Sequence, residues 1–158
     1  MSAKQGQVGE LLDALYLEMF DLIEQQAASR VNIERLSNGG QLLLAKTRYV
    51  HGSQSVSVAQ IPTENGRDFN ALCRVLQERN ESKLSNSEYT LVRSPIDKEN
   101  GYLEPMQWFG VLTPSTLRTA AEQFKRCLTH IVESANIQKD LNSVIKKINY
   151  LKDVILKK

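Results

Sequence analysis

From Val8 to Thr47 the apolar residues fall at alternating steps of four and three: Val8, Leu12, Leu15, Met19, Leu22, Gln26, Ser29, Ile33, Leu36, Gly40, Leu43, Thr47. A heptad of this length leaves few choices for the fold. It predicts one long helix packing along a single seam. Leu11, Ile23 and Leu44 widen the stripe. The middle of the seam, Gln26 and Ser29, is polar, either as a tolerated weak spot or as a device that sets register. Gly39 and Gly40 oppose a helix, because each interior Gly costs about 1 kcal/mol relative to Ala. The seam keeps its phase across the pair, so a kinked but continuous helix is expected. Gly40 lies in the seam, where a missing Cβ lets a partner helix come close.

The second half repeats the pattern. Leu117, Ala121, Phe124, Leu128, Ile131 and Ala135 form one seam. Ile137, Leu141, Val144, Ile148, Leu151 and Ile155 form another, displaced in phase by one residue near Asn136. Such a slip changes local winding in a coiled coil. Val8 to Tyr49 and Pro114 to Ile155 are equal in length. The expected fold is therefore mainly α. It is a long antiparallel coiled-coil helical hairpin with a small irregular or β-hairpin insertion at the tip. The expected boundaries are a single domain over 1–158, an N-terminal helix over 5–51, a variable insertion over 52–112 and a C-terminal helix over 113–157.

Within the insertion, Ser55 to Val58 alternates polar and apolar residues, as a half-buried strand does. Phe69, Leu72, Cys73 and Leu76 have a short helical spacing. Asn80 to Ser87 is polar, and Tyr89 to Val92 is a second β-prone run, so the two β-prone runs are expected to pair. Asp97 to Gly101 reads as a turn. The stretch 105–118 reads as a helix entrance. It has Thr113 as N-cap, Pro114 at the first helical position, and Leu112 with Leu117 as a hydrophobic staple. Trp108 and Phe109 hang just before it. They either plug one end of the core or form a docking patch for another protein.

The chemistry-bearing residues argue against catalysis. His51 and His130 are isolated, and Cys73 and Cys127 have no metal-ligand spacing, so free thiols are expected. Gly39 and Gly40 follow no strand and precede no phosphate-loop lysine. No cofactor is expected. The 158 residues suffice for one ordinary domain, and a net charge of +2 does not point to nucleic acid. Residues 1–9 lack the apolar core of a signal peptide, and no apolar run can span a bilayer. Between 139 and 158 six lysines stand against two aspartates. Lys146, Lys147, Lys152, Lys157 and Lys158 make a candidate basic surface. It is either a solvated helix face or a contact for an anionic membrane or acidic protein.

Two runs then become recognisable together. Leu44, Ala45, Lys46, Thr47, Arg48 and Tyr49, followed by Gly52 and Ser55-Val56, close the first helix. Trp108, Phe109, Gly110, Val111, Leu112, Thr113 and Pro114, followed by Leu117-Arg118 and Phe124, open the last. In this order, between two long helices, they resemble the coiled-coil domain-containing protein 115 family. That family is the animal counterpart of a fungal endoplasmic-reticulum assembly factor for the vacuolar proton ATPase. The resemblance implies a non-enzymatic, chaperone-like assembly factor. Such a factor works with a transmembrane assembly-factor partner on membrane-sector subunits of the ATPase. It also implies residence at the cytosolic face of the endoplasmic reticulum and of early secretory and endosomal vesicles, with membrane association through the partner and no nucleic acid. Trp108, Phe109, Leu112, Arg118 and Tyr49 are then the candidate partner-binding or tip-core residues. The competing class is a coiled-coil tethering or adaptor subunit.

Overall fold

The structure, a computed structural model, describes residues 2–79 and 87–156. The elements are helix α1 (Ser2–His51), strands β1 (Cys73–Arg79) and β2 (Ser87–Arg93), and helix α2 (Ser115–Leu156). Short 3-10 turns lie at Ser53–Ser55, Val58–Gln60 and Pro105–Phe109. The chain is mainly helical, with one small antiparallel sheet in which β1 pairs with β2. It divides into two compact units. One is Met1–Val31, Gln77–Thr90 and Ile131–Lys158; the other is Asn32–Leu76 and Leu91–His130.

Helix α1 runs without a break through Gly39 and Gly40. Every residue of its expected seam from Val8 to Thr47 is buried or half-buried. Leu11 and Ile23, by contrast, remain largely exposed.

In the first unit, Leu15 and Leu22 of α1 pack with Leu141, Val144 and Ile148 of α2. Leu12, Tyr16, Met19, Ile137 and Leu151 close around them. Burying each large apolar side chain of this cluster contributes about 1.5–3 kcal/mol. Gln26 sits at the end of the cluster, where its Nε2 donates to Ser134 Oγ at 3.0 Å and to Gln138 Oε1 at 3.4 Å.

In the second unit Gly40 lets the helices come close. Phe124 lies over Gly40, where a Cβ would stand 2.7 Å from the ring. Cys127 Sγ donates to the Ile33 carbonyl at 3.7 Å. The Thr47 and Thr116 hydroxyls are 2.7 Å apart, and Thr47 also donates to the Leu43 carbonyl of its own helix. In both units partners rise in number along α1 as they fall along α2, so the helical stretches run antiparallel.

One line of α2 keeps its phase past the expected slip, while its companion moves by one residue, from Leu117 and Phe124 to Ile137, Val144 and Leu151. The buried line runs through Ala120, Cys127, Ser134, Leu141 and Ile148, one residue per heptad. Leu128 and Ile131, expected in the seam, are exposed instead. The buried places go to small or polar side chains because the facing residues need them. Gln26 requires a hydrogen-bonding partner, which Ser134 supplies, and Cys127 reaches the Ile33 carbonyl.

The insertion departs further from expectation. Ser55 to Val58 is not a strand. Ser57 and Gln60 form a reciprocal capping box instead, Ser57 Oγ accepting from the Ala59 N–H and Gln60 Oε1 from the Ser57 N–H. Arg48 Nε donates to the Val56 carbonyl at 3.0 Å. With these groups satisfied locally, the segment needs no ladder. The β2 run pairs instead with Cys73–Arg79, whose start was expected to be helical. Neighbouring runs close the shorter loop, and Gln77 Nε2 adds a side-chain bond to Ser87 Oγ across the pair. The expected turn at Asp97 is present, with Asp97 and Tyr102 exchanging both backbone bonds. The polar run expected over Asn80 to Ser87 lies, apart from Ser87, outside the described residues.

Candidate functional site

The run before α2 is built by its own sequence. Pro105 opens a 3-10 turn that ends at Phe109, and Gly110 follows at φ +103, a conformation that favours glycine. That turn sets the directions of the next side chains. Trp108 is half-buried, its ring edge-on to Phe69 with centroids 5.2 Å apart. Phe109 lines an apolar pocket of about 320 Å³ together with Leu44, Val56, Leu117 and Phe124. Both aromatic side chains are thus half-buried at this end.

The residues after Gly110 do the opposite. Leu112 is 92% exposed and Val111 fully so, whereas Leu117 is 3% exposed. The expected Leu112–Leu117 staple therefore does not form. Thr113 is not the helix cap either, since α2 begins at Ser115. The Thr113 hydroxyl and carbonyl instead accept from the Arg118 guanidinium at 3.0–3.3 Å, a clamp across the first turn of α2. Tyr49, near the end of α1, is also exposed. Of the five candidates, Trp108 and Phe109 pack, Arg118 holds the loop, and Leu112 and Tyr49 face solvent. Sequence reasoning missed Phe69 and Val111. An apolar pair set between Gly110 and Pro114 was the available signal for Val111, because both flanking residues take the chain out of regular structure.

The lysines separate in the same way. Lys146 and Lys147 are exposed and border an open groove of about 480 Å³, with Leu11, Leu15, Tyr150 and Leu151. Lys152 places its ammonium 5.3 Å from the centre of the Tyr16 ring. Lys139, beside them, lies over the Tyr89 ring and donates to Ser87 Oγ. Lys157 and Lys158 lie outside the described residues.

Asn136, where the seam was expected to slip, turns toward the sheet. Its amide receives the Tyr89 N–H and donates to the Tyr89 carbonyl, both at 2.8 Å. In the second unit Arg93 donates to the Lys125 carbonyl at 2.6 Å and to Thr129 Oγ1 at 3.2 Å. Lys125 also pairs with Glu122 and with Glu104, at 3.0 and 3.8 Å. The Glu122 hydrogen bond leads in raising the Lys125 pKa.

Among the described residues, no group of three or more His, Cys, Asp or Glu side chains gathers where it could hold a metal. No described helix is long and apolar enough to cross a membrane. What the elements offer is surface: paired helices carrying an exposed apolar loop and a lysine-bordered groove.

No family model matches the chain. It is 28% identical over 152 residues to the mouse (Mus musculus) vacuolar ATPase assembly protein VMA22, covering 84% of each chain. It is 22% identical over 174 residues to the zebrafish (Danio rerio) protein of the same name, covering 85% of this chain and 83% of the relative. The resemblance to the coiled-coil domain-containing protein 115 family, first carried by two short runs, thus extends over most of the chain. Both relatives are named as assembly proteins.

Proposed function

We propose that this chain is a chaperone-like assembly factor for a vacuolar-type proton ATPase, acting on the membrane sector together with a transmembrane partner. It works as an antiparallel coiled-coil hairpin at the cytosolic face of the endoplasmic reticulum and of early secretory and endosomal vesicles. The observation that carries the reading is the likeness, over more than four-fifths of the chain, to proteins named for this assembly. The exposed pair Val111 and Leu112 supports it. An assembly factor needs an apolar surface for a partner, and two adjacent exposed apolar side chains on a clamped loop supply one.

The test is a native pull-down from gently solubilised membranes, with mass spectrometry of the proteins recovered. The expected set is a small multi-span protein with ATPase membrane-sector subunits, without the mature soluble sector. Leu112→Asp should abolish recovery and leave helicity by circular dichroism unchanged. Trp108→Ala should weaken recovery, with a small loss of thermal stability from the broken Phe69 contact. Recovery of tethering or cytoskeletal proteins alone would replace this reading with that of a coiled-coil adaptor.

A further inference from the structure

The α1 seam that packs on α2 uses one set of heptad positions. A second set runs along the same helix through Leu17, Phe20, Glu24, Ala27 and Val31, again at steps of three and four. Two residues along a helix correspond to about 200° of rotation, so Phe20 points away from the side that Leu22 buries. All five residues are exposed, with Leu17 at 67%, Phe20 at 59% and Val31 at 63%. A lone exposed leucine needs no explanation. Three large apolar side chains at heptad spacing form the stripe on which one helix receives another.

Charge says what kind of helix fits. Glu10, Asp13, Glu18, Asp21 and Glu24 share this stretch with Arg30 alone. Among the described residues, no ion pair engages these carboxylates. Glu24 sits inside the stripe, where an apolar partner would cover an uncompensated carboxylate at a prohibitive cost. An occupant must therefore bring a cation to that place.

We propose that the Leu17–Phe20–Val31 face of α1 docks an amphipathic helix of another protein, whose apolar seam is flanked by Lys and Arg with one of them opposite Glu24. The inference rests on this face alone and not on the ATPase reading. A failed pull-down from membranes and a failed helix-binding assay are separate results.

The probes are two labelled three-heptad peptides with the same leucine seam, one flanked by lysines and one by glutamates. Each is titrated against the full chain by fluorescence anisotropy. The lysine peptide should bind at least ~tenfold tighter, with the advantage shrinking as salt rises. Phe20→Asp and Val31→Asp should each weaken it at least ~tenfold, and Glu24→Gln should remove most of the preference for lysine. Leu42→Asp, an exposed site off the stripe, should leave binding unchanged. The milder Phe20→Ser serves should Phe20→Asp lower helicity. Equal affinity for the two peptides, or binding indifferent to Phe20, overturns the proposal. So does a concentration-dependent dimer in sedimentation that Phe20→Ser dissolves, since the face would then belong to a second copy.

Discussion

Gln26 and Ser134 meet across the α1–α2 seam of the first unit, amide nitrogen to hydroxyl at 3.0 Å, both side chains buried. Among the described residues, Gln26 Oε1 and the nearby Ser29 Oγ find no hydrogen-bond partner, so the polar patch is incompletely satisfied. Ser134→Ala leaves the Gln26 amide with only the longer Gln138 contact and should cost about 1–2 kcal/mol in chemical denaturation. Gln26→Leu combined with Ser134→Ala removes donor and acceptor together, and should restore or exceed wild-type stability. An additive double variant would show that the pair is not coupled.

Gly39 and Gly40 should respond to alanine in opposite directions. A Cβ at Gly39 meets the end of the Gln123 side chain, which can swing aside. Gly39→Ala should therefore gain about 0.5–1 kcal/mol from helix propensity. At Gly40 the Cβ would stand 2.7–3.0 Å from three atoms of the Phe124 ring. Overpacking of about 1–3 kcal/mol then outweighs the propensity gain, for a net loss of up to about 2 kcal/mol. Thermal melts of the two variants check the sign of each.

Asn136→Ala should release the outer edge of β2. Both 2.8 Å bonds to Tyr89 disappear, at a cost of about 1–3 kcal/mol if the edge stays shielded from water. The sharper readout is local: amide exchange at Tyr89 should accelerate by about tenfold or more while core amides of α1 hold. Unchanged exchange at Tyr89 would mean that water replaces the amide without loss.

Asp97 should titrate below its ordinary value of 3.8. The Asn100 side-chain amide, then the Asn100 backbone N–H, favour the ionised carboxylate, with the Glu99 N–H adding to them. A folded-state pKa depressed in this way stabilises the turn above the unfolded value, and the contribution is lost as pH falls through the folded one. Carboxyl chemical shifts should give a midpoint under 3.8 that rises in Asn100→Ala. A midpoint unmoved by that substitution sinks the account.

The α1 seam was legible because large apolar residues mark it at nearly every step. The seam of α2 was not. Its buried line includes Ala120, Cys127 and Ser134, which a search for large apolar residues passes over in favour of the exposed Leu128 and Ile131. Burial there is decided by what faces the residue across the seam, and the Gln26–Ser134 and Ile33–Cys127 contacts cannot be read from local pattern. The insertion failed differently. Strand propensity in Ser55 to Val58 was overridden by the Ser57–Gln60 capping box, and Cys73 to Leu76 by pairing with β2. At the candidate site the sequence drew attention to the run that holds the exposed Val111 and Leu112. Which of its side chains face outward depends on Gly110 and on the Arg118 clamp, and spacing carries neither.

That clamp bears on how tightly the loop can bind. A flexible loop carrying Val111 and Leu112 loses conformational freedom on meeting a partner, and that loss is subtracted from affinity. Arg118 holds the Thr113 carbonyl by two bonds and its hydroxyl by a third, fixing one side of the apolar pair. Gly110 sets the other side. On the function proposed above, much of the ordering is thus complete before encounter, and loosening Arg118 should slow productive docking without removing a single apolar atom from the surface.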